Sequence, residues 1–379
     1  MSILAASHEK FAQHQNQLAD HVRAGDAFVP RGHQTSQIGL AVGQDLKAPE
    51  GVWNFDAGAL TLTVSAGTTL ELIEQTLIQE RQCLAFEPPR MNGLLGRVGA
   101  QTIGGMVAAN ASGPRRVAVG ACRDFCLGVG FIDGQGRVIK NGGRVMKNVT
   151  GLDLVKLMAG AHGTLGLITE VSLKTQPIQE RTASLIFEGL SDVDAVAAMS
   201  AALGTPYSVT GAAHLRGTGA GQRARTAIRI EGFESSVKYR ADALRKALEN
   251  FGASAVLWDA AANAGLWASI RDVEPFHDLI GDVWRLSVKP SDAPGLVAAV
   301  QPEDVIYDWG GGRLWLRVKP NTNVRAHMGA GHATLVRASD ETKQRFGVFH
   351  PENAVVAKIS AGLRAKFDPQ QKFNRGMMG

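Results

Sequence analysis

The chain is short of cysteine, aromatic residues, net charge and long apolar runs, and each shortage excludes something. Its 379 residues include only three cysteines, Cys83, Cys122 and Cys126. An odd, sparse set builds no disulfide framework and holds no iron–sulfur cluster, and it suits a reducing compartment. Cys122 and Cys126 lack the second pair that would complete a metal site, so they read as small buried hydrophobes and no metal is expected. Aromatics make up 6 % and no long basic block occurs, which argues against a nucleic-acid face. The formal net charge of +5 suits an anionic ligand or an acidic partner surface. No stretch approaches the roughly 18 apolar residues of a membrane span. Residues 1–15 lack the charged start and apolar core of a secretory signal. A cytoplasmic protein is expected, peripheral to the inner face of a membrane only through partners.

Two nucleotide-binding signatures are also missing. No Gly-x4-Gly-Lys-Ser/Thr occurs. Gly134-Gln135-Gly136 lies between two strand-like runs, 129–132 and 137–140, and so opens no helix as a dinucleotide fingerprint must. What the chain does have is glycine in two patches. Gly104, Gly105, Asn110, Ser112 and Gly113 form the first; Gly160, Gly163, Thr164 and Gly166 form the second. Such patches suit a backbone whose N–H groups lie against an anionic ligand, because a Cβ would hold the ligand away.

Along the chain, residues 8–23 read as a surface helix and 27–29 as a short strand entering the loop 30–36. Residues 60–64 alternate apolar and polar, the pattern of a half-buried strand. Thr68 and Glu71 then form a capping box before a helix whose one face carries Leu70, Ile73 and Leu77. The character changes near Pro177. Strand patterns at 183–187, 226–230, 284–288 and 314–318 alternate with helices at 191–203 and 235–251. This predicts an α+β domain with helices on one side of a sheet. The tail, 367–376, is studded with apolar residues and is expected to return to the first domain.

At this point a family resemblance enters. Arg31-Gly32…Thr35-Ser36, Ala66-Gly67, Thr102-Ile103-Gly104-Gly105, Ser112-Gly113 and Gly160-x-x-Gly163-Thr-Leu-Gly-Leu-Ile168 resemble the FAD-binding domain of the vanillyl-alcohol-oxidase type. The runs 109–116, 121–125, Met146-Lys147-Asn148 and 284–287 are similar to the smaller FAD-binding subunit of bacterial glycolate oxidase. The resemblance implies an α+β fold: a two-lobed FAD-binding PCMH-type domain over 1–178, a smaller ferredoxin-like α+β cap over 179–350, and a segment, 351–379, returning to the FAD domain. It further implies that FAD is held by Arg31, Gly32, Thr35, Ser36, Gly67, Thr102, Ile103, Gly104, Gly105, Asn110, Ser112, Gly113, Arg123, Gly163, Thr164 and Ile168. The family's consecutive glycines after the arginine are replaced here by His33-Gln34.

A flavin takes a hydride equivalent, while the protein supplies placement and electrostatics. Oxidation of a 2-hydroxy acid needs a cation for the carboxylate and a base for the hydroxyl proton. Arg285 and Arg317, in predicted cap strands, are the candidates for the clamp. His327 and His332 faintly echo a His-x-Gly-Asp-Gly-Asn segment of related dehydrogenases, without its Asp and Asn. The expected role is an FAD-binding subunit of a glycolate-oxidising complex, working with a larger flavin subunit and an iron–sulfur subunit. A non-catalytic scaffold subunit and a stand-alone flavin oxidase are the alternatives.

Overall fold

The computed structural model describes residues 3–33, 35, 37–144, 151–217 and 223–378. Ser36 and the Met146-Lys147-Asn148 run lie outside them. The first half is built on a five-stranded antiparallel sheet, in the order Val52–Asp56, Thr61–Ser65, Leu167–Lys174, Cys126–Ile132, Val138–Gly142. The hairpin expected around Gly134-Gln135-Gly136 is present, with Ile132 opposite Val138. Asp133 closes it by accepting from the amides of Gln135 and Arg137, a local turn that short carboxylate side chains favour.

Two local expectations are corrected. The strand Thr61–Ser65 is buried at all five positions, not on one face only. Leu62 and Val64 pack on Leu70, Ile73 and Ile103, as alternation requires. The polar face is covered by the N-terminal helix Ile3–Ala24, placed on the surface by sequence alone. Gln15 Nε2 donates to Thr169 Oγ1 (2.7 Å), Phe11 packs on Trp53 with ring centroids 4.9 Å apart, and Trp53 Nε1 donates to Ser65 Oγ (2.7 Å). Hydroxyls and one amide match one another there, so a polar face is buried without orphaned groups. The cap of the helix Leu70–Ile78 is Thr69, not Thr68: Thr69 Oγ1 accepts from Leu72 N. Thr68 Oγ1 is spent on the amide and carbonyl of Gly51.

Phe28–Pro30 and Gln44–Leu46 form a separate parallel pair. The tail adds to its edge, with Phe28 N donating to Lys372 O and Asn374 N to Phe28 O. Asp368 holds the turn before it by accepting from the amides of Lys372 and Phe373.

The second half is one eight-stranded antiparallel sheet. Strands Arg181–Glu188, Val209–Leu215, Arg225–Gly232 and Ser254–Leu257, with helices Asp192–Leu203 and Glu234–Ala247, follow the order strand–helix–strand–strand–helix–strand. The same order recurs in Asp282–Ser287, Ala293–Val300, Asp304–Asp308, Arg313–Val318, the 3-10 turn Val324–His327 and His332–Arg337. The cap is therefore two ferredoxin-like units joined edge to edge where Val209–Leu215 pairs with Asp304–Asp308. The sequence reading found the element types but not the duplication, because the second helix of the second unit has shrunk to one turn. One sheet face carries the helices and a core centred on Trp284, Leu286 and Leu316. The helix Ala260–Asp272 lies on the other face, against Trp315, Ile306 and Met91, so the expectation of helices on one side only is corrected.

Candidate active site

A cavity of about 1590 Å³ lies between the halves. Strand alternation decides which cap residues reach it. Arg285 lies opposite Trp315 and Thr334, and Ser287 opposite Arg313 and His332, so these residues share one sheet face. Arg285, Ser287, Arg313, Trp315 and His332 all line the cavity. Arg317 is on the same face but two residues further, about 7 Å along the strand. There it pairs with Glu303 and donates to Ile280 O, outside the cavity. His327 is exposed on its 3-10 turn and also lies outside. The structure thus gathers two of the four predicted catalytic residues, Arg285 and His332, and separates the other two.

The glycine positions behave differently from the sequence expectation. Most of their amides already have partners: Gly67 N donates to Pro49 O, Ile103 N to Thr68 O, Gly104 N to Ala66 O, Gly113 N to Phe86 O and Thr164 N to Ala161 O. Gly105 N points at Thr102 Oγ1, the cap of its short helix. These groups cannot form an open anion nest. The glycines are needed because protein approaches protein: a Cβ on Gly67 would lie 2.3 Å from Ala48 O, on Gly104 2.7 Å from Ala66 Cβ, on Gly113 2.4 Å from Glu87 O, and on Gly32 2.5 Å from Thr102 Oγ1. Gly163, at φ +69°, faces Asn374 and Pro30. Ile168 is a core residue of its strand. Arg31 pairs with Asp45 at 3.1 Å. The amides of Gly32, His33 and Thr35, by contrast, have no acceptor among the described residues. Ile38, Gly39 and Leu40, directly after this loop, line the cavity.

Asn110, Ser112, Arg123 and Thr164 are the predicted cofactor residues that border the cavity itself. Asn110, at φ +45°, accepts from Arg123 N through Oδ1 (2.9 Å). Ser112 Oγ accepts from Cys122 N, and its carbonyl accepts from Arg313 (2.6 Å). Thr164 Oγ1 donates to Ala161 O (2.7 Å). Seven Lys and Arg side chains border the cavity against two carboxylates, Glu352 and Asp368, and Asp368 is committed to the tail. Among the described residues Arg285 has no hydrogen-bond or ion-pair partner. Burial, then Arg313 and Arg116, press its pKa from 12.5 down to about 10, so it stays charged at neutral pH. An enclosed cation with like-charged neighbours and an open face is a site for an anion.

Sequence reasoning missed several residues here. His162, at φ +50°, lines the cavity, and burial followed by Arg285 hold its pKa down at about 4. It is neutral at neutral pH and able to accept a proton. Trp309 donates to Gly113 O (3.0 Å) while Arg116 and Arg313 flank its ring at 4.5 and 4.1 Å. The signal for it was the run Trp309-Gly310-Gly311-Gly312-Arg313. Arg115, near the end of the 109–116 run, joins the halves. It pairs with Glu231 at 2.7 Å and its amide donates to Glu87 Oε2, while Arg229 grips Glu87 at 2.8 and 3.0 Å.

The residues fit an anionic cofactor beside a small anionic substrate: among the described residues, loop amides without an acceptor and Arg123 for a diphosphate, a cavity of about 1590 Å³, and the guanidinium of Arg285 without a partner. Comparison with known proteins agrees. A family model described as FAD binding domain matches residues 9–142. The chain is 34 % identical to glycolate oxidase subunit GlcE of Escherichia coli K12, over 88 % of this chain and 86 % of that one. It is 32 % identical to glycolate oxidase subunit GlcD of Bacillus subtilis, over 42 % of this chain and 34 % of that one. D-lactate dehydrogenase of Anaerostipes hadrus is 33 % identical over 43 % of this chain and 34 % of its own length. Among solved structures, an alkyldihydroxyacetonephosphate synthase superposes with a TM-score of 0.69 at 14 % identity, covering 95 % of this chain and 73 % of the other. That likeness shows the fold.

Proposed function

The chain belongs to the family of FAD-binding glycolate oxidase subunits, and from that premise we propose that it oxidises a small 2-hydroxy acid in the cavity between its halves. The observation that carries this reading is the guanidinium of Arg285, without a partner among the described residues and set on the cap wall of that cavity. Bound FAD supplies the hydride acceptor. The amides of Gly32, His33 and Thr35, with Arg123, hold its diphosphate. Arg285 takes the substrate carboxylate, and Arg116 adds positive charge beside it, while Arg313 is paired with Asp308. His162, neutral and electrostatically coupled to Arg285, takes the hydroxyl proton. Pairing of Arg285 with a carboxylate removes the field that weakens His162 as a base, so substrate binding readies the proton acceptor. His332 stands beside His350 at 5.3 Å between ring centroids, on the cavity wall.

In this reading residues 1–178 carry the cofactor, 179–350 close over it, and 351–379 tie back to the first unit. Electrons leave through partners, a larger flavin subunit and an iron–sulfur subunit, because three cysteines are too few to hold a cluster. The complex works in the cytoplasm or at the inner face of its membrane. No helix among the described residues is long and apolar enough to cross a membrane.

The test is anaerobic addition of glycolate to the purified flavoprotein. Bleaching of the visible flavin band supports the reading. A chain that holds flavin but is not bleached, even with its partners present, supports a scaffold role instead. The placement of Arg317 and His327 away from the cavity favours that second reading. Peroxide formation by the chain alone would mark a stand-alone oxidase.

A further inference from the structure

The cations that border the cavity are not equivalent. Arg313 is spent on Asp308 and on Ser112 O. Lys156 donates to Arg123 O, and Arg364 to Met377 O. Lys343 is acted on by Asp340 and Arg97, not by the cap arginines. Arg123 is assigned above to the diphosphate. Two guanidiniums on the cavity wall then remain, Arg285 and Arg116, each with no hydrogen-bond or ion-pair partner among the described residues. Glycolate carries one carboxylate and would answer only one of them.

Arg116 comes from the first half and Arg285 from the cap. Arg116 lies on the Trp309 ring at 4.5 Å, and that ring is pinned across the two halves by its bond to Gly113 O. A ring contact engages the face of a guanidinium and leaves its N–H edge for an acceptor. Arg313 lies on the same ring at 4.1 Å, and its strand position is opposite Ser287, two residues from Arg285. The charges acting on Arg285 are Arg313 and then Arg116, with no carboxylate among them. Burial, then Arg313 and Arg123, press the pKa of Arg116 down in turn. Only Asp124 opposes them, and Asp124 is committed to the amide of Ala121 (2.8 Å). Two like charges held beside one cavity call for an anion with more than one negative group. The room is there: about 1590 Å³ exceeds the roughly 300–1000 Å³ of an ordinary small-ligand site.

We propose that the preferred substrate is a 2-hydroxydicarboxylate, with Arg285 holding the carboxylate next to the hydroxyl-bearing carbon and Arg116 holding the second carboxylate. The inference rests on the proposed function and names its substrate class. The step at the hydroxyl-bearing carbon is the one already assigned. The second carboxylate takes no part in it; it binds, and it ties the first half to the cap across the reacting carbon. Arg116 therefore decides which acid is chosen.

The experiment is anaerobic bleaching of the flavin band in the purified full chain. The acids are glycolate, malate, 2-hydroxyglutarate and 2-hydroxypentanoate, with both hands of each chiral one. The last matches 2-hydroxyglutarate in carbon number and lacks its second charge, so size and charge are separated. Half-bleaching concentration and flavin per chain are read for the unaltered chain, Arg116→Met and Arg116→Lys. The expected result is half-bleaching by at least one dicarboxylate at a concentration tenfold or more below those of glycolate and 2-hydroxypentanoate. That preference should collapse in Arg116→Met and survive in part in Arg116→Lys, with flavin content level. An unaltered chain bleached by glycolate but no more readily by either dicarboxylate overturns the inference and leaves the proposed function standing. A dicarboxylate preference that persists in Arg116→Met overturns it too, because the second carboxylate is then held elsewhere. Loss of flavin from both variants makes Arg116 a cofactor cation and likewise overturns it. Bleaching by none of the acids sinks the proposed function itself.

Discussion

Replacing Arg285 by methionine separates an anion-binding cation from a structural one. In this chain Arg285 has no ion-pair partner among the described residues, and the charges that act on it, Arg313 and Arg116, have its own sign. Its pKa falls from 12.5 to about 10, a depression that costs the folded, empty protein about 3 kcal/mol at ~1.4 kcal/mol per tenfold. The figure is an upper bound because the cavity admits water. Methionine matches the length of the stem and removes the charge, so thermal unfolding of the flavin-loaded protein should be unchanged or shifted upward. A charge-assisted hydrogen bond to a carboxylate is worth roughly 1.5–3 kcal/mol, so KM for glycolate should rise about 10- to 150-fold. Lysine keeps the charge but not the two-pronged geometry, and should fall between. Flavin content should stay level in both. An unchanged KM with a lower melting temperature would refute the reasoning, because it would make Arg285 a strut rather than a ligand for substrate.

Gly67→Ala places a Cβ 2.3 Å from a backbone oxygen that cannot move aside; unfolding of flavin-free protein should show a loss of about 1–3 kcal/mol, whereas a glycine needed only for ligand approach would show none. Glu87 is held below the usual carboxylate range despite burial, by Arg229 and then Arg115, and Glu231 likewise by Arg229 and Arg115. Their stabilisation is complete above the ordinary value near 4.5 and is lost as pH falls through the depressed folded values. Urea unfolding from pH 7 to pH 3 should therefore steepen at the acid end. Glu87→Gln should flatten that profile while costing about 1–3 kcal/mol at pH 7, since Arg229 and Arg115 lose one carboxylate but keep Glu231. NMR titration of His162, whose pKa is about 4, should move upward in the Arg285→Met protein yet stay below 6.5, because burial is the larger cause; no movement would show that the two groups do not interact.

How much of this was legible from residues alone depended on the range of the interaction. The hairpin at Asp133, the helix Asp192–Leu203 and the strand Arg225–Gly232 are local events, and spacing revealed them. The covering of Thr61, Thr63 and Ser65 was not local. It depends on a helix more than thirty residues upstream meeting polar groups with polar groups. The cap's duplication was hidden because one of its helices had dwindled to a turn.

The same division runs through the site. The glycine grammar specified the family, because closely packed backbones demand missing side chains wherever they occur in the fold. It could not say whether each glycine makes room for a ligand or for the chain itself; the packing of Gly67 on Ala48 and of Gly104 on Ala66 decided that. The sequence alone determined the cofactor class and the strands that carry arginine. Tertiary structure alone separated Arg285 from Arg317: on neighbouring strands and two residues apart in register, one has no partner among the described residues and the other is neutralised by Glu303. It also brought His162 and Trp309 from distant segments to the same enclosure. Pairing and burial are properties of neighbours in space, and order along the chain does not contain them.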